Sequence, residues 1–342
     1  MQIIATISQK SYAPEKIEEI LRAGASVLRF NMSHGTPEES LGKMQVARDV
    51  IKKLGSDARI LADLPGNKLR LGDFPELYYE VQACQRVVFK TAQGTEDPAV
   101  YLPVNVPDIA TYVRESQEVT IGDGEVGFRV LQIQDKETFI AEAINSGKIG
   151  RMKGFNIGSG MDALMHITEK TLACMDVLPA IQPDWVAVSF ANSGDYMRRT
   201  KALLAERFGR GKVPPVVSKV ETPKGVAQID DIAAESDIVM VARGDLAVTA
   251  PVELLGVYQK RIVQAAKKAG KPVIVSTQIL ESLLTNYMPS RSDVLDLTNI
   301  VLDGAEYIML AKETGVSDTP GHSVTVAKQI IDAVEHAAHK AQ

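Results

Sequence analysis

Two carboxylates, a lysine and an arginine stand out in this 342-residue chain because of where they fall. Glu221 and Asp245 each close a short apolar run, in VVSKVE and MVARGD. Carboxylates on the ends of adjacent strands can converge on one ion. Completed by substrate oxygens and water, they make the hard donor set of Mg²⁺ or Mn²⁺. Each alone could equally cap a helix or pair with a lysine. Lys219, two residues before Glu221, is a cation suited to an enolate or to a phosphoryl group in transfer. A structural ion pair with Glu221 or Asp245 is the other reading, and both can hold together. Arg29 offers a two-pronged donor for phosphate or carboxylate, or else a rim salt bridge. Gly244 lets a substrate carboxylate approach backbone N–H groups. Asn31, Ser33 and Asp63 carry oxygen on neighbouring strands, which suggests a cation site.

The elements that must position these groups follow a simple alternation. Eight short, β-branched runs occur: Gln2–Ile7, Ser26–Phe30, Arg59–Ala62, Asp184–Ser189, Pro215–Val220, Asp237–Ala242, Pro272–Ser276 and Glu306–Leu310. After each comes a stretch with apolar residues three and four apart, the helical period. Pro14, Pro37, Thr168 and Ser290 mark helix starts, and Gly24, Gly55 and Gly270 mark stops. Strand–helix alternation of this kind predicts parallel pairing with right-handed crossovers. Between about Asp73 and Lys153 the pattern changes to strands and turns, with Gly122-Asp123-Gly124 as a hairpin. Without that insert roughly 260 residues remain, close to the ~250 of one (β/α)₈ barrel. The chain is expected to divide into a barrel at 1–72 and 154–342 and a small β-barrel lid at 73–153, inserted after strand three.

Polar residues decide between a barrel and a doubly wound sheet. Catalytic groups of a barrel gather at the C-terminal ends of its strands, whereas an open sheet concentrates them at one switch point. Here strand two ends in Arg29, Asn31 and Ser33, strand three in Asp63, and strand four in Ser189. Strand five ends in Lys219 and Glu221, strand six in Arg243-Gly244-Asp245, strand seven in Thr277-Gln278 and strand eight in Lys312-Glu313. That ring predicts the barrel.

The composition is that of an ordinary globular protein, 45% hydrophobic and 24% charged. A net charge of −5 gives no footprint for nucleic acid. Cys84 and Cys174 fit no paired motif, and a reducing compartment is expected. No apolar run approaches the ~18 residues of a membrane span, and no leader pattern opens the chain. The expectation is a cytoplasmic protein with no nucleic-acid or membrane partner.

Taken in order, RFNMSHG, LADLPGNKLRLGDF, TIGDGEVGF, MKGFNIG, VAVSF, SKVE, VARGDL, KPVIVSTQILES and LDGAEYIMLAKET resemble the pyruvate kinase family across the barrel and the lid. The resemblance implies metal-dependent phosphoryl transfer between phosphoenolpyruvate and a nucleotide (ADP or ATP) through enolpyruvate. It implies that Arg29 grips the transferring phosphate and that Lys219 stabilises the transfer and the enolate. By the same resemblance Glu221 and Asp245 hold the divalent ion. Gly244, Asp245, Ser189 and Thr277 belong with the substrate, Thr277 near the enolate face that is protonated. Arg70, Asn31 and Lys153, the last on the strand returning from the lid, belong with the nucleotide. Asn31, Ser33 and Asp63 match a monovalent-cation site. Lys68 matches a position at which a lysine accompanies potassium independence, so no K⁺ requirement is expected. Family members usually continue into a C-terminal regulatory domain, whereas this chain stops after the eighth barrel helix. A monomer or small homo-oligomer is expected.

The departures gather on one side. TISQKS stands where the family usually has TIGPAS, Pro65 replaces a lysine, Thr249 replaces a glutamate, and AKET replaces SGET. The metal and enolate half is intact while the nucleotide half is altered. The alternatives are therefore a metal-dependent enolate enzyme (lyase, decarboxylase or aldolase) on pyruvate or another 2-oxo acid, or a non-catalytic binding relative.

Overall fold

The computed structural model describes residues 1–158, 166–209 and 211–340. Two compact units are formed, one from Met1–Gly66, Ile167–Gly244 and Leu255–Gln342, the other from Asn67–His166 and Asp245–Leu254.

In the first unit eight parallel strands close on themselves: Gln2–Ile7, Val27–Asn31, Arg59–Asp63, Trp185–Val188, Val216–Val220, Ile238–Ala242, Val273–Ser276 and Tyr307–Leu310. Each pairs with its neighbours in chain order, and the eighth returns to the first through Gln2–Tyr307 to Ala5–Leu310. This is the (β/α)₈ barrel that the alternation predicts. Helix entries follow local chemistry. Thr36 caps Pro37–Leu54 in a reciprocal box with Glu39, Thr168 caps Glu169–Ile181, and Ser290 caps Arg291–Asp303. Gly55, at φ 59°, ends its helix in the left-handed region.

Inward side chains fill the barrel. Ile4, Val27, Leu61, Ala187, Val217, Met240, Ile274 and Met309, one from each strand, are buried together. Trp185 meets Tyr307 edge-on at 5.3 Å in the same cluster. A packed interior of branched residues is what a barrel of this size requires.

The second unit is built mainly from β-strands, with helical turns at Ile109–Tyr112 and Val252–Leu254. Six of the strands, Leu102–Val104, Arg86–Thr91, Thr138–Ala143, Val126–Ile133, Glu118–Ile121 and Phe155–Asn156, form one sheet in that order. Its two edges meet through residues 69–72. Arg70 bridges Gly154 and Leu71 bridges Val104. Tyr78–Val81 and Gly147–Gly150 make a separate antiparallel pair. Phe89, Phe128, Phe139 and Phe155 form the unit's aromatic core, with Phe89 stacked on Phe139 at 5.0 Å. Leu102–Val104 escapes a sequence reading because Pro103 interrupts so short a run. Its ladder partner is Arg86–Thr91, and on its other side the Pro103 carbonyl accepts the Gly72 N–H, a contact that needs no proline N–H. Lys153 lies in no strand, since Arg151 and Met152 (φ 60°) turn the chain just before it.

Candidate active site

Because side chains alternate along a strand, each inward core residue has its successors two and four positions on at the C-terminal mouth. Val217 leads to Lys219 and Glu221, Val27 to Arg29 and Asn31, Leu61 to Asp63, Ala187 to Ser189, and Ala242 to Gly244. The period that fills the barrel with branched residues therefore delivers its charges to one end.

Asp63 is the hub of these groups. Its Oδ2 accepts Arg29 Nε at 2.9 Å and Nη2 at 2.6 Å, and its Oδ1 lies 3.2 Å from Lys219 Nζ. Lys219 Nζ also donates to Ser189 Oγ at 2.9 Å and pairs with Glu221 Oε1 at 3.0 Å. Ser189 Oγ in turn donates to the Leu64 carbonyl, and Arg29 Nη1 reaches Thr6 Oγ1 at 3.3 Å. All of these side chains are buried, Asp63 and Glu221 to 1% exposure. Burial pushes the Asp63 carboxyl upward, but the Lys219 and Arg29 charges outweigh it and hold the group below the usual carboxylate range.

Glu221 is held from a second side. Its Oε2 accepts the Phe190 N–H at 2.6 Å, from a residue at φ 53° just beyond strand four. Packed there, Gly66 has no room for a side chain, since a β-carbon would come within 2.4 Å of the Phe190 ring. Tyr196 completes this wall by donating its hydroxyl to the Ser189 carbonyl at 3.2 Å. Burial and the nearby Glu221 charge push its phenol up to about 12, against the opposing pull of Lys219. Phe190, though it closes VAVSF, and Tyr196 had no role legible in the sequence, because their roles come from a turn and a helix packing across a neighbouring strand end.

Thr277 follows strand seven at φ 70°. The alternation that points Ser276 inward would send Thr277 the other way. The left-handed turn instead sets its side chain beside Gly244, where an added β-carbon would stand 3.4 Å from Thr277 Cγ2. Asn31 and Ser33 stay near Asp63 in the chain pairing, Asn31 directly opposite it, but Asn31 Oδ1 is engaged by the Ser33 N–H.

In the second unit Lys68 Nζ pairs with Asp245 Oδ1 at 2.6 Å. Arg70 Nη1 donates to the Met152 carbonyl at 3.0 Å, and Lys153 Nζ lies 3.6 Å from Glu125 Oε1. Among the residues that depart from the family pattern, Pro65 offers its carbonyl to Thr171 Oγ1 and Lys312 pairs with Glu281 at 2.8 Å. Among the described residues no group of three or more His, Cys, Asp or Glu side chains could hold a metal ion, and no helix is long and apolar enough to cross a membrane.

A closed (β/α)₈ barrel with a buried lysine–carboxylate–arginine cluster at its C-terminal mouth is a barrel of the enzyme kind. The particular family is shown by comparison with known proteins, for the family model "Pyruvate kinase, barrel domain" matches residues 1–324. A pyruvate kinase of Thermococcus litoralis is 32% identical over 334 residues, covering 98% of this chain and 69% of that protein. One of Methylorubrum extorquens is 33% identical over 338 residues, with the same coverage. The crystal structure of a pyruvate kinase from Cryptosporidium parvum superposes with a TM-score of 0.87 at 29% identity, over 99% of this chain and 72% of that one. The chain belongs to the pyruvate kinase family.

Proposed function

We propose that this protein transfers a phosphoryl group between phosphoenolpyruvate and a nucleotide, through enolpyruvate, with Mg²⁺ or Mn²⁺ as its divalent ion. The observation that carries the reading is the Lys219 ammonium, buried and held by Ser189, Asp63 and Glu221 at about hydrogen-bond distance. A cation fixed this way needs no reorganisation when negative charge develops on an enolate oxygen or a phosphoryl group. Arg29, steadied by two bonds to Asp63, is assigned to the transferring phosphate, and its fork suits that geometry. Gly244, Asp245 and Ser189 are assigned to the substrate with Thr277, which is assigned to the face on which the enolate carbon is protonated. Arg70, Asn31 and Lys153 are assigned to the nucleotide.

The donor chemistry fits a hard divalent ion. Glu221 and Asp245 are carboxylates that now answer ammonium groups, Lys219 and Lys68, so cationic charge is already matched at both. When bound, the ion would neutralise phosphoryl and enolate oxygens. Asn31, Ser33 and Asp63 are assigned to a monovalent site whose charge Lys68 makes dispensable. The division into a barrel and a lid at 73–153 belongs to the same reading.

The altered nucleotide side supports a second reading, enolate chemistry on a 2-oxo acid without nucleotide. Pro65 stands where the family's lysine would carry charge, and the Lys312 ammonium is engaged by Glu281. A ¹H NMR time course of pyruvate with Mg²⁺ in D₂O, with and without ATP, separates the two. Metal-dependent loss of the methyl signal that ATP promotes, and that falls about 10²–10³-fold in Lys219→Met, is the expected result. Exchange indifferent to ATP would favour the second reading, and no exchange would leave the protein a binding relative.

A further inference from the structure

Thr277 and Gln278 form a conformational exception, two consecutive non-glycine residues at φ 70° and 50°. A β-branched residue rarely adopts that region, and such a pair persists only where its surroundings over-determine it. Two buried side chains do so here from opposite sides. Arg243, at the end of strand six, donates Nε to the carbonyls of Ser276 and Thr277, both at 3.2 Å. Its Nη2 reaches Thr277 O at 2.6 Å and Gln278 O at 3.1 Å. Asp296 Oδ1, 2.9 Å from Arg243 Nη1, steadies the guanidinium. Glu313, just after strand eight, accepts the amides that follow the turn, Ile279 at 3.1 Å and Leu280 at 3.3 Å on Oε1. Its Oε2 accepts the Ala311 N–H at 2.7 Å. Carbonyls entering the turn are thus held by a cation and amides leaving it by an anion.

We propose that Arg243 and Glu313 are positioning residues of the active site, clamping the strand-seven turn so that Thr277 stands beside Gly244. Arg243 is 7% exposed and Glu313 1%, and their bonds engage the backbone of the turn on both of its arms, so they act through the turn. Each comes from a different neighbouring strand end, which ties the turn to both sides of the barrel rim. The inference rests on the enolate chemistry proposed above, which gives Thr277 a substrate to face. Without the clamp the turn relaxes toward φ below zero, and the Thr277 side chain swings away from Gly244. Misplacement of this kind by about 1 Å costs on the order of 10²-fold in rate.

The test uses the full chain, with variants Glu313→Gln, Arg243→Lys and the double variant E313Q/Q278G. Arg243→Lys keeps the charge but loses the fork, and it serves if the glutamine variant does not fold. Glycine at 278 takes positive φ without penalty, so it should relieve the need for the clamp. Two readouts are needed. Amide hydrogen exchange at Ile279 and Leu280 should quicken about tenfold or more in E313Q and R243K, with the other barrel strands unchanged. Metal-dependent exchange of the pyruvate methyl protons should lose about 10²-fold in kcat with KM within about twofold, and E313Q/Q278G should recover much of that loss. Unchanged amide protection would overturn the proposal, as would a loosened turn with kcat intact, a loss confined to KM, or no recovery in the double variant. Absence of methyl exchange in the unmodified protein would instead count against the enolate reading, and the amide exchange would still decide whether the pair holds the turn.

Discussion

Lys68 Nζ lies 2.6 Å from Asp245 Oδ1, so a carboxylate assigned to the divalent ion already answers a fixed ammonium. Both side chains are about three-quarters buried, at 25% and 27% exposure. A partly solvated pair of this kind contributes about 0.2–1 kcal/mol. Any divalent ion drawing on Asp245 must share it or displace the lysine. In Lys68→Met the affinity of the protein for Mn²⁺, measured by water-proton relaxation, should therefore rise by up to about fivefold. The same fixed charge predicts equal initial rates in KCl and NaCl. Strong stimulation by K⁺ would show that the ammonium does not replace the monovalent ion.

A second prediction concerns acid stability. The carboxyl of Asp63 is held below its usual range because the Lys219 and Arg29 charges outweigh its burial. A depressed carboxylate stabilises the fold above its unfolded value, about pH 3.9, and that increment is lost as pH falls through the lower folded value. Asp63→Asn leaves two buried cations short of their partner, a loss of about 3–5 kcal/mol at neutral pH. Denaturant midpoints of the two proteins should differ most near pH 7 and converge below about pH 4. A gap that persists unchanged into acid would mean that Asp63 contributes through packing or neutral hydrogen bonding.

The barrel was legible because its signal is periodic and repeated: branched runs such as VIVS and YIML recur at the spacing of strand–helix units. Strand-end placement followed from the same alternation, since Val217, Lys219 and Glu221 share a face by parity alone. What parity cannot reveal is a change of direction. Thr277 is out of phase with Ser276 and is turned by a left-handed φ that no residue type announces. Pairings across distant segments were equally hidden. Lys68 and Asp245 are 177 positions apart, and Glu313 takes up its amides through a turn that forms only in the closed barrel. In the lid, Phe155–Asn156 is too short for any period to show.

The nucleotide assignment makes its own prediction. A ligand that binds only the folded protein stabilises it by RT ln(1 + [L]/Kd), about 2.7 kcal/mol at a hundredfold excess over Kd. ADP with Mg²⁺ should raise Tm by a few degrees if Arg70 and Lys153 serve its phosphates. Arg70→Ala and Lys153→Ala should each reduce that rise while leaving the unliganded Tm within about 1 °C, since the Lys153–Glu125 pair is exposed and of little weight. A rise that survives both substitutions would place the nucleotide elsewhere.

Gly244 offers the sharpest separation of stability from function. A β-carbon there would stand 3.4 Å from Thr277 Cγ2 and 3.5 Å from Oγ1, ordinary contact rather than a clash. The residue sits where strand Ile238–Ala242 passes directly into the short helix Arg243–Thr249. Alanine suits a helix better than glycine by about 1 kcal/mol, so Gly244→Ala should fold with an unchanged or slightly raised Tm. The added methyl nevertheless fills the space beside Thr277 that the substrate carboxylate would need. KM for pyruvate in the methyl-exchange reaction should then rise by about tenfold or more, equivalent to about 1.4 kcal/mol of lost binding. Because the fold accepts the substitution, such a loss cannot be attributed to unfolding. An unchanged KM would mean that the carboxylate is bound by other groups and that glycine at 244 serves only its packing against Thr277.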